Sequence, residues 1–420
     1  MTAVLAGLPR ALVSAFRVPY ALARRTAIVG ASVGWIGAAL FIALGPGSNR
    51  SVFGPMKWAD FPHFYTLAHV ATMRAGQLLY DTERLDALQR SLVPASTGGL
   101  FIPVYPPQTA LLFATLAPFS YFTAGTIWAL LTIAVYASCA WLAWRPAAHA
   151  FHDRAFVVAA IVAFPPAWQL AVYGQTTAIP LLAFTAAWRA LERNRTVLAG
   201  ALLSLLAIKP QFALVITALA ILTADWRLMA GAAMGIGVQM LAVIAVFDAS
   251  VLGAYARMVR RLPALRDLLE PKPYNMHSLR ALTQTLPPAA DWITWSVLAV
   301  AVIVATRIVW RGNTPVRMRF GTVVLASILV DPHLTTYDAA VLVLPVAWIG
   351  GLLLERRIDA VWFWQLVFWM SVALLAPTAR WVPIQASAVL MTALFAGTIA
   401  RAYPQVARAE MKTAPPASSI

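Results

Sequence analysis

Four stretches of this 420-residue chain place polar side chains inside apolar surroundings. In "KWADFPHFYTLAHVATMRAGQLLYD" (57–81), Asp60 sits among Trp58, Phe61, Phe64 and Tyr65. In "IKPQ" (208–211), Lys209 lies between two apolar runs and is followed at once by Pro210. The turn "YGQTT" (173–177) carries Gln175, and "DPHLTTYDAAVLVLP" (331–345) places His333 and Asp338 at the head of an apolar run. A carboxylate can take a proton from an attacking hydroxyl. Lysine or arginine can stabilise charge that develops on a departing phosphate. Aromatic rings suit the faces of sugars. The histidines and the single cysteine show no metal-ligand spacing, and no Walker or Rossmann glycine pattern appears. The set reads as sugar transfer from a lipid-phosphate donor, with no metal, cofactor or nucleotide donor called for.

Each residue also has a plainer reading. Asp60 can be a helix N-cap, and Asp81 reads as the cap of "TERLDALQRSL". Asp338 can cap the helix it begins. Lys209 can snorkel to the surface, but a proline break frees backbone carbonyls and favours a polar cavity. Gln175 can satisfy a tight turn that Gly174 permits. Arg74 suits pairing with an acid or a lipid phosphate. Asp60 is the candidate for a catalytic base, with the cap reading still open. Lys209, Gln175, His333, Asp338, Tyr173, Tyr274, Asn275 and His277 are candidates for the donor phosphate and sugar. His63, Arg74 and Tyr105 are further candidates.

The surrounding elements must lie in a bilayer. The chain is 61% hydrophobic and 11% charged, against roughly 25% charged in soluble domains. It reads as an all-α polytopic membrane protein. Spans are expected near 28–45, 121–144, 155–172, 176–190, 196–208, 211–223, 229–247, 291–310, 320–331, 336–354, 360–376 and 383–400. Residues 1–27 lack the compact core of a signal peptide and read as an amphipathic segment on the cytoplasmic surface. Residues 28–400 form one transmembrane catalytic domain, and 401–420 a disordered cytoplasmic tail. Arginines at 10, 17, 24 and 25, at 189, 193 and 195, at 307, 311, 317 and 319, and at 356 and 357 mark the cytoplasmic loops. The four polar stretches then share the outer side with a long first loop (46–107) that carries short interfacial helices. Segment 108–119 is too short to span. The loop 248–290 is basic and falls on the same outer side, which suits an anionic ligand. The net charge of +16 is spread between spans, which argues against nucleic acid and for membrane lipids. Cys139 is the only cysteine, so no disulfide forms within the chain.

An acid in the first outer loop is the layout of the GT-C integral-membrane glycosyltransferases. The chain resembles glycosyltransferase family 87, the polyprenyl-phosphate-mannose-dependent type. The matching stretches are "ADFPHFYTLAHVATMRAGQLLYD", "FIPVYPPQTALLFATLAPFS", "YGQTTAIPLLA", "AGALLSLLAIKPQFAL" and "DPHLTTYDAAVLVLP". The resemblance implies a GT-C-type bundle of about twelve helices, with Asp60 as the family's base and Gln175 and Lys209 in its GQ and KP motifs. Actinobacterial mannosyltransferases of the family often place paired histidines in the last motif, where Tyr337 and Asp338 stand here with His333 upstream, so donor sugar and acceptor stay open. The expected reaction is inverting transfer of a hexose, mannose first. The polyprenyl-phosphate donor would give it up to a lipid or glycan acceptor on the outer face of the bacterial inner membrane. Arabinofuranosyl or other pentosyl transfer is the nearest alternative. A transporter or flippase is the rival from another class; its inverted repeat is not seen.

Overall fold

A computed structural model describes residues 17–44, 49–52, 54–96, 101–269 and 272–413. Among these the chain is all-helical, and no strand forms beyond an isolated bridge between Arg50 and Met56. Six helical segments are long and apolar enough to cross a membrane: Tyr20–Ala43, Tyr121–Ala147, Trp226–Phe247, Pro288–Arg311, Asp338–Glu355 and Ala386–Met411. Arg154–Ala163 and Pro165–Tyr173 add a seventh if the pair, bent by 45°, is one span.

Every expected span coincides with helix, and by length and composition six or seven of them qualify as full spans among the described residues. Thr196–Ile208, Pro210–Thr223 and Val361–Ala373 are apolar but short. Ala178–Glu192 and Val316–Val330 have 15 residues each. At 1.5 Å per residue such helices reach about 22 Å, less than the roughly 30 Å of hydrocarbon. The last two need not reach further, because they are buried along most of their length. Protein covers most of their surface. The first span starts at Tyr20 rather than 28. Of the amphipathic segment read over 1–27, residues 1–16 lie outside the described residues. The segment read as a disordered tail is helical through Tyr403–Thr413; residues 414–420 lie outside the described residues.

Chain direction sorts the charges. The Tyr121–Trp144 helix runs from Tyr121, whose hydroxyl donates to the Lys57 carbonyl at 2.7 Å, to Arg145. Ala178–Glu192 leaves the 173–177 turn for Arg193 and Arg195, and the chain returns to Lys209. Val316–Val330 runs from Arg317 to Asp331, and the next helix returns to Glu355, which Arg317 grips with two bonds of 2.6 and 2.7 Å. Arg24 pairs with Asp153 at 2.8 Å, at the head of the bent pair that ends at Tyr173. The arginine clusters therefore lie at one end of the bundle, and the four polar stretches at the other. The basic loop 248–290 joins the second end: Phe247 packs on Gly76, and Arg280 donates to the Pro332 carbonyl at 3.4 Å.

The first loop is a packed body rather than a tether. Its helices Phe61–Thr72 and Thr82–Leu92 are short, as is Gln108–Phe113, which directly follows the loop. Phe64 stacks on Phe113 at 4.9 Å, and Phe113 meets Trp128 of the bundle at 4.5 Å. Trp58, Phe61, Phe64 and Phe113 are buried, each contributing roughly 1.5 to 3 kcal/mol. That burial fixes the loop, and Asp60 with it, against the bundle. Asp81 caps its helix by accepting from the Arg84 amide at 3.1 Å.

Candidate active site

Two turns meet at Asp60. Trp58 takes a left-handed φ of 52°, and the Asp60 amide then donates to the Tyr173 carbonyl at 3.1 Å. Gly174 takes φ +69°, and a Cβ there would lie 2.9 Å from Cβ of Phe61 and 3.1 Å from that of Trp58. Only glycine lets the turns close this tightly. The Trp128 indole donates to the carbonyls of Gly174 and Gln175 at 3.1 and 3.2 Å.

Asp60 occupies the N-cap position of Phe61–Thr72, yet its side chain makes no capping bond. The carboxylate instead accepts from Gln175 Nε2 at 2.7 Å. Gln175 also donates to the Tyr337 hydroxyl at 3.2 Å and accepts from the Tyr105 hydroxyl at 3.3 Å. Burial pushes the Asp60 carboxyl up from 3.8 to about 6, against the opposing pull of Gln175 and Lys209. The capping explanation of Asp60 therefore fails on geometry.

Lys209 sits where two helical pieces break, between Ser204–Ile208 and Pro210–Ala213. It does not snorkel: its side chain is 4% exposed. The ammonium donates to Asp338 Oδ1 at 2.6 Å and to Thr177 Oγ1 at 3.2 Å, and lies 5.3 Å from the Tyr337 ring centre. Thr177 also bonds Asp338 Oδ1, and Thr335 donates to Asp338 Oδ2 at 3.1 Å. Asp338 is thus a buried counter-ion and caps no helix. An ammonium has three protons; two are spent on Asp338 and Thr177.

The remaining candidates divide. Tyr173 lies tilted against Tyr337 with ring centres 5.6 Å apart, and Tyr105 reaches Gln175, so both belong to the cluster. His63 lies under Tyr105 and Phe101, each 5.7 Å away. His333 is anchored through its amide, which donates to Asp331 Oδ1 at 2.8 Å. His277 is enclosed: one ring nitrogen meets Thr336 at 2.8 Å and the other Ser387 at 2.6 Å. It clasps the 331–338 turn rather than facing an open site. The Tyr274 carbonyl accepts from Gln385 at 2.9 Å, two residues from Ser387 of the clasp, whereas the Asn275 amide only closes a local turn on the Lys272 carbonyl. Arg74 is exposed in the turn after Phe61–Thr72, one helix length, roughly 18 Å, from Asp60.

Sequence reading missed Thr177 and Tyr337 as members of the site. Thr177 holds an N-cap position, where a threonine looks ordinary, but its hydroxyl makes no capping bond. A threonine two residues after Gln175 gave no separate signal.

The family model for glycosyltransferase family 87 matches residues 103–332. The match includes Gln175 and Lys209 and stops short of Asp60 on one side and Asp338 on the other. No curated protein and no solved structure matches the chain. With more than half of its length matched and its polar cluster at one end of an apolar helical bundle, the chain belongs to glycosyltransferase family 87, a family of membrane glycosyltransferases.

Proposed function

We propose that the protein moves a hexose, mannose, from a polyprenyl-phosphate donor to the hydroxyl of a lipid or glycan acceptor, with inversion. One observation carries the reading. Asp60, at a cap position it does not use, aims its carboxylate at Gln175 beside the buried Lys209–Asp338 pair. Asp60 takes the proton of the acceptor hydroxyl. The acceptor oxygen attacks the anomeric carbon, and the bond from that carbon to the phosphate oxygen breaks. Polyprenyl phosphate leaves with the electron pair, and a β-linked donor yields an α-linked product. The third Lys209 proton is the available donor to that phosphate. The arginine clusters at the opposite end of the bundle support an outer-face site by the positive-inside rule.

The deciding assay incubates purified protein with radiolabelled polyprenyl-phosphate-mannose and candidate lipid and glycan acceptors. Label should move to an acceptor and release polyprenyl phosphate. Transfer from polyprenyl-phosphate arabinose alone would replace the sugar, a choice kept open by Tyr337 and Asp338 at the departing motif. Donor that crosses a vesicle membrane unconsumed would instead favour a flippase.

A further inference from the structure

Asp331 is a buried acid that this chemistry does not use. It is 0% exposed. It directly follows the last residue of Val316–Val330, at the negative end of that helix, where a carboxylate is disfavoured. Oδ1 accepts from the His333 amide at 2.8 Å, while Oδ2 is buried with no hydrogen-bond partner. An ionised carboxylate with a bare, desolvated oxygen is costly.

The charges around it are known. Asp338 repels its anion, and Lys209 and His333 favour it. The attraction of Lys209 is already spent on Asp338, 2.6 Å away. Arg280, whose guanidinium donates to the neighbouring Pro332 carbonyl at 3.4 Å, is itself held by Asp291 at 3.3 and 3.4 Å. With Asp60 ionised as the base, Asp60 and Asp338 stand against Lys209. An ionised Asp331 would add a second uncompensated negative charge in front of an anionic donor.

We propose that Asp331 is held as the neutral acid, and that its proton is what lets the Asp60–Lys209–Asp338 cluster admit the donor phosphate. Asp331 touches no reacting atom in this scheme; it is a positioning residue that acts through charge. The second half rests on the proposed donor, whereas the protonation can be read without turnover.

Infrared spectroscopy reads the proton. Asp60→Asn removes the raised carboxyl of Asp60, so that it adds nothing to a protonated-acid carbonyl band at pH 7. The band should vanish in Asp60→Asn/Asp331→Asn. If the double variant fails to fold, titration of the band in aspartate-labelled Asp60→Asn gives the same reading. Absence of any such band overturns the proposal. Steady-state kinetics with polyprenyl-phosphate-mannose read the consequence. Wild-type KM for donor should rise about tenfold over the pH range in which the band disappears. Asp331→Asn keeps the Oδ1 acceptor and should hold a low, flat KM. A flat wild-type KM, or an Asp331→Asn enzyme as poor as Asp331→Leu, sinks the link to donor binding. A band without any sugar transfer would leave the proton standing and remove the proposed function instead.

Discussion

Lys209 Nζ lies 2.6 Å from Asp338 Oδ1, and the two side chains are 4% and 3% exposed. They come from a helix break and from the head of another helix, 129 residues apart. Breaking a buried pair from one side leaves the other charge unpaired, at about 3 to 5 kcal/mol. Lys209→Met should therefore lower thermal stability as well as donor use, the latter by roughly 10- to 150-fold for one charge-assisted contact. Lys209→Met/Asp338→Leu should regain the stability without regaining the activity. Recovery of both in the double variant would make the pair structural only.

Asp60→Asn keeps the shape and still meets Gln175, but it cannot accept a proton. General-base assistance contributes about 10²- to 10⁴-fold, and transfer should fall by that factor while donor binding is kept or tightened, because a negative charge facing the phosphate is removed. Asp81→Asn is the control, because that carboxylate only caps a helix; it should cost at most about 1 kcal/mol and leave transfer intact. Loss of transfer in Asp81→Asn with Asp60→Asn active would mean that the wrong carboxylate has been chosen.

The sequence exposed Asp60, Gln175, Lys209 and Asp338 because each violates its surroundings: a charge or amide inside an apolar run has to be explained. It also separated the two ends of the bundle, because the arginines of the short loops gather at one end, although the longer loop 248–290 at the other end is basic too. It hid the partners. Asp338 looked like a cap because pairing with Lys209 joins residues far apart in the chain, and no local pattern encodes that. His277 looked like a ligand residue because a lone histidine near a basic loop carries no mark of the Thr336 and Ser387 clasp that encloses it. Apolar runs of 13 to 15 residues read alike in sequence whether lipid or protein surrounds them, so the sequence alone does not separate full spans from shorter buried helices.

Topology gives a direct check on the face of the site. After Cys139→Ser, single cysteines at Val52, which is 53% exposed, and at Asn275 should react with an impermeant thiol reagent in intact cells. Cysteines at Asn194 and Asn313, in the arginine-rich loops, should react only after permeabilisation. The reverse pattern would move the Asp60 cluster to the cytoplasmic side and remove the outer-face reading.

The raised proton affinity of Asp60 gives opposite signs for activity and stability, and the pair is diagnostic. The working form is the carboxylate, with a pKa raised by burial to about 6. Transfer should hold a plateau on the acid side down to about pH 7 and fall roughly tenfold by pH 5, as the ionised fraction drops. Stability runs the other way. Below the ordinary value of 3.8 the group is protonated both folded and unfolded, so no charge penalty exists. As pH rises through about 6, the folded protein must ionise a desolvated acid, and stability is lost. Asp60→Asn, free of that penalty, should melt above wild type at pH 8 and close to it at pH 4. A variant that melts below wild type at pH 8 would show that the carboxylate stabilises the fold, and a base held at a cost would no longer describe Asp60.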